Sequence, residues 1–452
     1  MNPAPNAPAG NDRSPRHGIS RRSFAAAAGV AAAGVLADPV ARGAHAAGSD
    51  RLKIGLVGCG GRGTGAATNA IAADPGVVLW ALADAFPDHV KSAAGVLGRA
   101  VGERAGKDPS FGQRFDCPEE RQFTGLESYK QLIEACDVVL LASPPGFRPV
   151  HLRAAVEAGR QVFCEKPMAV DAAGLRSVRD SVTIATEKRL AIVSGFCWRY
   201  AHRERDVFKR IHDGAIGPVR AAYTTYNAAG FRGEVPRRPE WSDLEYYVRN
   251  WPYYTFLSGD HIVEQAVHSL DRLAWAMNDE MPTRVVCTGG REVRGDRPAG
   301  NNIYDHFAAA FEYADGRRGF HMCRHFPGAS NDNSDYIIGT SGTATVNGFG
   351  NRQETVSADG TRWQSQVPKN DMYQTEHDEL LASIRAGQPI NDGVRMTNST
   401  AMAIMARMSA YTGQDVTWAQ LWASKEDLAP PKWEWGPLPA PAVAVPGKTA
   451  LV

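Results

Sequence analysis

The chain predicts two structural classes in succession: an α/β domain on a doubly wound parallel sheet, then an α+β domain whose large sheet is mostly antiparallel. Two observations carry this. From Lys53 to Cys164, short apolar runs alternate with helical stretches at the spacing of strands joined by crossover helices. After Val193, strand-like runs follow one another without helices between them, and Asp315-Gly316 marks a hairpin turn inside that series.

Residues 1–46 read as an export signal and stand outside the fold. Ser20-Arg21-Arg22-Ser23-Phe24 precedes an apolar stretch from Ala25 to Ala37, and Ala44-His45-Ala46 supplies small residues at a cleavage site. The paired arginines point to the twin-arginine route, hence to a folded, periplasmic or otherwise extracytoplasmic protein. An alanine-rich unstructured terminus is the competing reading. The apolar stretch is too short to span a bilayer, so no membrane insertion is expected once the signal is removed.

Lys+Arg is 50 against Asp+Glu 49, so no basic excess marks a nucleic-acid or anionic-membrane surface. The cysteines (59, 117, 136, 164, 197, 287 and 323) show no C-x-x-C pair or metal spacing, and their number is odd. They are expected as buried small hydrophobes.

In chain order, Lys53–Val57 is a strand running into Gly58-Cys59-Gly60-Gly61-Arg62-Gly63, and Thr64–Ala73 is a helix. Val77–Ala83 is a strand ending at Asp84. Residues 99–122, polar and Gly/Pro-rich, read as a surface insertion. Tyr129–Glu134 is helical, Asp137–Ala142 a buried strand stopped by Ser143-Pro144-Pro145, Val150–Ala158 a helix, and Gln161–Cys164 a strand. The first domain is placed at 51–168 and the second at 169–429. In the second, strands are expected at Val219–Tyr226, Arg284–Thr288, Tyr304–Tyr313, Gly319–Phe326 and Asp335–Ile338, with helices at Thr375–Ala386 and Ser399–Thr412. Residues 430–452 read as a proline-rich arm, with Trp433 and Trp435, that packs on a neighbouring surface, another subunit being one possibility.

The glycine run is expected to carry a ligand, a glycine loop without one being the alternative. In Gly58-x-Gly60-x-x-Gly63 the first glycine allows a tight turn, the second lets the backbone approach a pyrophosphate, and the third lets strand and helix pack closely. Its place between a strand and a helix is that of a Rossmann dinucleotide site, with the anion at the helix N-terminus. Asp84, at the end of the next strand, would bond the ribose hydroxyls and repel a 2′-phosphate, which favours NAD over NADP; capping a helix is its alternative role.

With Cys164-Glu165-Lys166-Pro167 reached, the chain resembles the Gfo/Idh/MocA oxidoreductase family, which includes glucose–fructose oxidoreductase and inositol dehydrogenase. The resemblance covers nearly the whole chain past the signal. It runs through the glycine turn, Ser143-Pro144-Pro145, the Glu-Lys-Pro motif, Gly195–Tyr200, Asp213–Gly217 and a helix with Glu264 and His268. It implies that Lys166 lies at the active site, that Pro167 follows a bond that is often cis, and that Glu165, with Gly58, Gly60, Gly61, Arg62, Gly63, Asp84, Ser143, Pro144 and Lys166, lies near the cofactor. Many members have aspartate where this chain has Glu264, which leaves that carboxylate's role open.

His261, Glu264, His268 and Asp271 stand at offsets 0, 3, 7 and 10. On one helix they would share an arc of roughly 80° at about 100° per residue. Ionisable groups on one stripe need partners or a ligand. Lys166, His268 and Glu264 are the candidate catalytic residues, and Arg199, Tyr200, His261 and Asp271 the candidate substrate contacts, each of these four with a structural alternative. Zinc on His261, Glu264 and His268 matches no established spacing, and no metal is expected. The aromatics Trp241, Tyr246, Tyr247, Trp251, Tyr253, Tyr254 and Phe256 serve either as sugar-stacking surfaces or as core.

The expected chemistry is hydride transfer from a sugar carbon to NAD, with His268 as base and Lys166 stabilising the alkoxide. Outside the cytoplasm the cofactor would have to be tightly held and recycled internally. Alternatives are a redox-assisted glycoside hydrolase or lyase, a non-catalytic dinucleotide-loaded binding protein and, were the export signal false, a dehydrogenase with exchanging cofactor. The substrate is expected to be a small carbohydrate and the protein a homo-oligomer.

Overall fold

The computed structural model describes residues 51–294, 301–350 and 352–452; the signal expected at 1–46 lies outside them. The first domain contains β1 (Leu52–Val57), α1 (Gly61–Ala73), β2 (Val77–Asp84), α2 (Pro87–Ala105), β3 (Gln122–Thr124), α3 (Ser128–Ala135), β4 (Val138–Leu141), α4 (Arg148–Glu157), β5 (Gln161–Cys164), α5 (Ala172–Glu187) and β6 (Ile192–Ser194). Its six strands lie parallel in the order β3-β2-β1-β4-β5-β6. All of β4 is buried, as a strand covered by helices on both faces requires. The order reverses between β1 and β4, and the crevice beyond their carboxyl ends is where such sheets bind ligands.

Two boundaries differ from the sequence reading. The sheet continues past residue 168, because α5 crosses back to add β6 beside β5. The insertion expected at 99–122 begins later. Val90, Ala93, Leu97 and Val101 line one buried side of α2, which holds the helix together to Ala105 despite its glycines and charges.

The second domain contains α6 (His202–His212), β7 (Val219–Ala228), α7 (Asp243–Arg249), α8 (Thr255–Ser258), α9 (His261–Glu264), α10 (Val267–Ala276), β8 (Arg284–Gly290), β9 (His306–Glu312), β10 (Arg318–His325), β11 (Ser334–Gly339), β12 (Gly342–Asn347), β13 (Gln353–Ser357), β14 (Arg362–Gln364), α11 (Met372–Arg385), α12 (Gly393–Thr412), β15 (Val416–Thr417) and α13 (Trp418–Ala423). Nine strands form one sheet in the order β14-β13-β12-β11-β7-β10-β9-β8-β15, antiparallel except where β10 meets β7. The Asp315-Gly316 turn joins β9 to β10 and sets Glu312 opposite Arg318. One face of this sheet packs on α10 and α12, and among the described residues nothing covers the large side chains Tyr223, Val286 and Tyr336 on the other.

α12 is buried along nearly its whole length. It lies against α5 of the first domain as well as α10 and β8 of the second, so residues 50–452 form one unit. α11 packs on α1, where Arg385 pairs with Asp74 at 2.9 Å and Gln374 donates to the Asn69 carbonyl at 3.0 Å. All seven cysteines are buried and free. Among the described residues no helix is long and apolar enough to cross a membrane. The arm at 430–452 folds back on its own chain: the Tyr304 hydroxyl donates to the Ala444 carbonyl at 2.9 Å, and Gly447 N donates to the Thr412 carbonyl at 2.8 Å.

Candidate active site

The glycine run forms the floor of the crevice. Gly58 has φ +97°, and a Cβ on it would lie 2.5 Å from the backbone of Ala142 and Ser143. A Cβ on Gly63 would lie 1.9 Å from the Gly58 carbonyl oxygen. Above Gly60 and Gly61, by contrast, nothing stands within 4 Å. α1 begins at Gly61 without any side-chain cap, so its first N–H groups and the positive end of its dipole face open space. That is a cradle for an anion carried on a bulky group, and it fits the pyrophosphate of a dinucleotide.

Asp84 stands at the rim. Its Oδ2 accepts from Cys59 N at 2.7 Å and its Oδ1 from Phe86 N at 2.9 Å, with His89 Nδ1 3.3 Å away. These bonds aim the carboxylate into the same cavity. His89, which the sequence reading passed over, sits in the first turn of α2, and its pKa is raised, chiefly by the hydrogen bond to Asp84. On the other wall Ser143 Oγ and His151 Nδ1 are 3.0 Å apart. Burial pushes His151 down to about 3, so this imidazole is neutral. Pro144 and Phe147 complete that wall. The cavity has a volume of about 190 Å³ and opens to solvent on one side.

Arg62 links the cradle to the Glu165-Lys166-Pro167 segment. It lines the cavity, pairs with Glu165 through Nε, and reaches Glu376 of α11 at 2.8 Å through Nη2. Glu165 thus serves by holding Arg62. The next residue, Lys166, precedes a cis bond to Pro167. Its ammonium donates to the Glu264 carbonyl and, at 3.0 Å, to Glu264 Oε1. Both side chains are nearly buried.

The expected single helix through His261 and Asp271 is two pieces. Gln265, at φ −114° and ψ −51°, ends α9. Gln265 N and Ala266 N both donate to the His261 carbonyl at 2.9 Å, and α10 restarts at Val267. The break disperses the predicted stripe. His268 keeps its place one turn beyond Glu264, edge-on to Phe196 at 6.1 Å between ring centroids. Its pKa lies well below the ordinary value, first from burial and then from repulsion by Lys166, Arg272 and Arg62. Nδ1 is buried without a partner, so Nε2 is the nitrogen through which the ring can act. The Glu264 carboxylate is engaged by Lys166.

The structure buries all four candidate substrate contacts, Arg199, Tyr200, His261 and Asp271, among internal partners. Arg199 Nε donates to Asp271 Oδ2 at 2.8 Å and its Nη2 to Asp271 Oδ1 at 3.0 Å, while Ser399 Oγ donates to Asp271 at 2.7 Å. The Tyr200 hydroxyl donates to Asp392 at 2.7 Å. His261 Nδ1 lies 3.1 Å from Asp260, and its ring packs on His325. Desolvated charge demands such partners, and residues of this kind near a site motif look functional in sequence. Likewise the aromatics at 241–256 form a buried cluster, with Trp251 also lining the cavity. Among the described residues no group of three or more His, Cys, Asp or Glu gathers as metal ligands.

Residues 52–196 match a family described as "Oxidoreductase family, NAD-binding Rossmann fold", and residues 209–418 match that family's "C-terminal alpha/beta domain". The chain is 27% identical over 204 residues to the 2,7-anhydro-N-acetylneuraminate hydratase of Mediterraneibacter gnavus, covering 43% of this chain and 49% of that one. It is 24% identical over 268 residues to the inositol 2-dehydrogenase of Rhizobium meliloti, covering 59% of this chain and 67% of the other. The matches thus span about half the length of the first relative and two thirds of the second. The fold is similar to that of a levoglucosan dehydrogenase in complex with NADH, at a TM-score of 0.64 and 19% identity over 81% of this chain and 99% of that one.

Proposed function

The chain belongs to the Gfo/Idh/MocA oxidoreductase family, and from that premise we propose that it is an NAD-dependent oxidoreductase acting on a hydroxyl carbon of a sugar or sugar derivative. The observation that carries this is the run of ion pairs from Arg62 at the glycine cradle to Glu165, whose neighbour Lys166 pairs with Glu264 and is close enough to His268 to lower its pKa. The relatives named as acting on inositol and levoglucosan support the substrate class.

Gly60, Gly61 and the α1 N-terminus would hold the pyrophosphate, and Asp84 the adenosine ribose. NAD bound there supplies a hydride acceptor and donor. His268, kept neutral by its surroundings, takes the hydroxyl proton at Nε2. Lys166 has three N–H donors and spends two on Glu264, which leaves one for the substrate oxygen as it gains charge. Glu264 anchors Lys166 for that task.

A second reading has its own support in the hydratase relative. In that reading the same transient oxidation acidifies a neighbouring C–H, a substituent leaves, and the hydride returns with no net redox change. Denaturing the purified protein and assaying released dinucleotide tests whether the cofactor is tightly bound and recycled. Sugars and glycosides offered to the loaded enzyme then divide the readings: paired oxidised and reduced products support the oxidoreductase, and cleaved or hydrated product without net redox supports the second. A protein that releases no dinucleotide and binds none added would overturn both.

Export by the twin-arginine route remains part of the proposal, and Arg21→Lys with Arg22→Lys should leave the protein in the cytoplasmic fraction. Self-association is proposed through the open sheet face. There Val286, Tyr223 and Tyr336, each nearly half exposed, stand side by side across five strands, with the partly covered Phe320 and Ala310 between the first two. Tyr223→Glu with Tyr336→Glu should lower the mass measured by light scattering; an unchanged mass would remove that interface.

A further inference from the structure

The arm brings two tryptophans behind the walls of the dinucleotide cavity. Phe86 and Phe147 line it, the first following β2 and the second following β4. Trp435 stacks on Phe86 at 5.6 Å between centroids and 23° between planes, and Arg249 covers the same ring at 3.8 Å. Trp433 packs on Phe147 at 4.2 Å. The same stretch of arm also fastens α7, which with the turn after it supplies Val248 and Trp251 to the cavity. Leu244 N donates to the Gly436 carbonyl at 3.3 Å, Leu438 N to Asp243 Oδ2 at 3.0 Å, and the Tyr247 hydroxyl to the Leu438 carbonyl at 3.2 Å.

Three segments far apart in sequence therefore meet at the cavity, and one short piece of arm touches all three. Neither tryptophan lines the cavity itself. Trp435 stays 41% exposed. Its ring contact is with Phe86. A phenylalanine that offers one side to a ligand can recoil unless something backs it, and a broad flat ring does so with little entropy of its own to lose.

We propose that Trp433 and Trp435 are positioning residues for the dinucleotide: by backing Phe86 and Phe147 and fastening α7, they slow its release and thereby keep it captive. This rests on the proposed function, since it presumes a dinucleotide in the cavity. The arm then does within one chain what an enzyme with internally recycled cofactor needs, a slow off-rate without added contacts to the reacting end.

The test uses the full mature chain loaded with NADH, whose release is followed by fluorescence after mixing with excess NAD. Trp433→Ala with Trp435→Ala should release NADH about tenfold faster or more, and phenylalanine at both positions should restore slow release. A merely structural arm would lower the melting temperature of the dinucleotide-free protein and leave the release rate of the folded fraction unchanged, which overturns the proposal. Should the double variant not fold, Trp435→Ala alone carries the test, and release at the wild-type rate again overturns it. A wild-type chain that binds no NADH refutes the dinucleotide reading itself, and the arm's role with it. Tight wild-type binding with unaltered release from the variants refutes only the arm.

Discussion

The dinucleotide end and the proposed reactive end of the site are made of different material. At the first, the shape is backbone: a turn at Gly58, an open floor over Gly60 and Gly61, and the uncapped start of α1, all within a short stretch between β1 and α1. At the second, the shape is side chains. Arg62, Glu165, Lys166, Glu264 and Glu376 come from four separate segments and hold one another by charge. A backbone cradle needs little from its neighbours, whereas the reactive end exists only if distant parts of the chain arrive together. Binding and turnover should therefore fail separately.

The largest effect expected is on turnover. Lys166→Ala and His268→Ala should each lower kcat on the order of 10²-fold or more, with NADH affinity kept within a few-fold. Gly63→Ala should do the reverse of sparing the cradle, since its methyl would drive the Gly58 carbonyl out of place and abolish binding before any chemistry. Near-normal kcat in both alanine variants, or NADH lost along with turnover, would break the division between the two ends.

Next comes stability. Asp271 lies on α10 three residues past His268, yet it is 1% exposed and accepts from Arg199 and Ser399. Asp271→Ala leaves the Arg199 guanidinium short of its buried partner and should cost about 3 kcal/mol in urea unfolding. Its KM should stay near wild type. A raised KM with undiminished stability would return Asp271 to the substrate side.

These contrasts explain what could be read from residues alone. Both sheets, nine of their fifteen described strands and the glycine turn were legible, because alternation, turn residues and strand–turn–helix context are local signals; the short β3, β6 and β12–β15 were not. Lys166, Glu264 and His268 were found through motif resemblance, but their pairing was not, because the Lys166–Glu264 bond joins residues 98 apart in sequence. The predicted stripe failed at Gln265, where no proline or glycine announces the break. Arg199 and Asp271 misled because burial, which decides between a structural ion pair and a ligand contact, has no signature in a polar residue's name. Glu376 and the two tryptophans could not have been placed: α11 and the arm return to the first domain from its far end in sequence.

A smaller effect sharpens the cradle side. Asp84 already takes Cys59 N and Phe86 N, so it is held in position before any ribose arrives. Asp84→Ala should weaken NADH binding by about tenfold, in proportion to one or two charge-assisted hydrogen bonds, and should narrow the preference over NADPH. Titration of both dinucleotides by fluorescence checks this, and unchanged affinities for the two would leave Asp84 as a brace for the turn alone.

The smallest effect expected is a rate that hardly moves with pH. A base must be neutral to accept a proton, and His268 is held well below the usual imidazole range by burial and by Lys166. An ordinary imidazole, with a pKa near 6.5, would be about three-quarters protonated at pH 6 and its rate cut roughly fourfold from pH 8. Here kcat/KM should change by less than about twofold over that interval, with its acid limb lower still. Stability should behave otherwise. His268, with His151, His321 and His377 pushed down to about 3 by burial, binds fewer protons folded than unfolded. Their contribution is complete above the unfolded pKa near 6.5 and is lost as pH falls below it. Between pH 6.5 and 5.5 the protein should therefore lose unfolding free energy while the folded fraction keeps its rate. A limb in kcat/KM at the ordinary imidazole value would assign the proton to a solvent-exposed base and take it from His268.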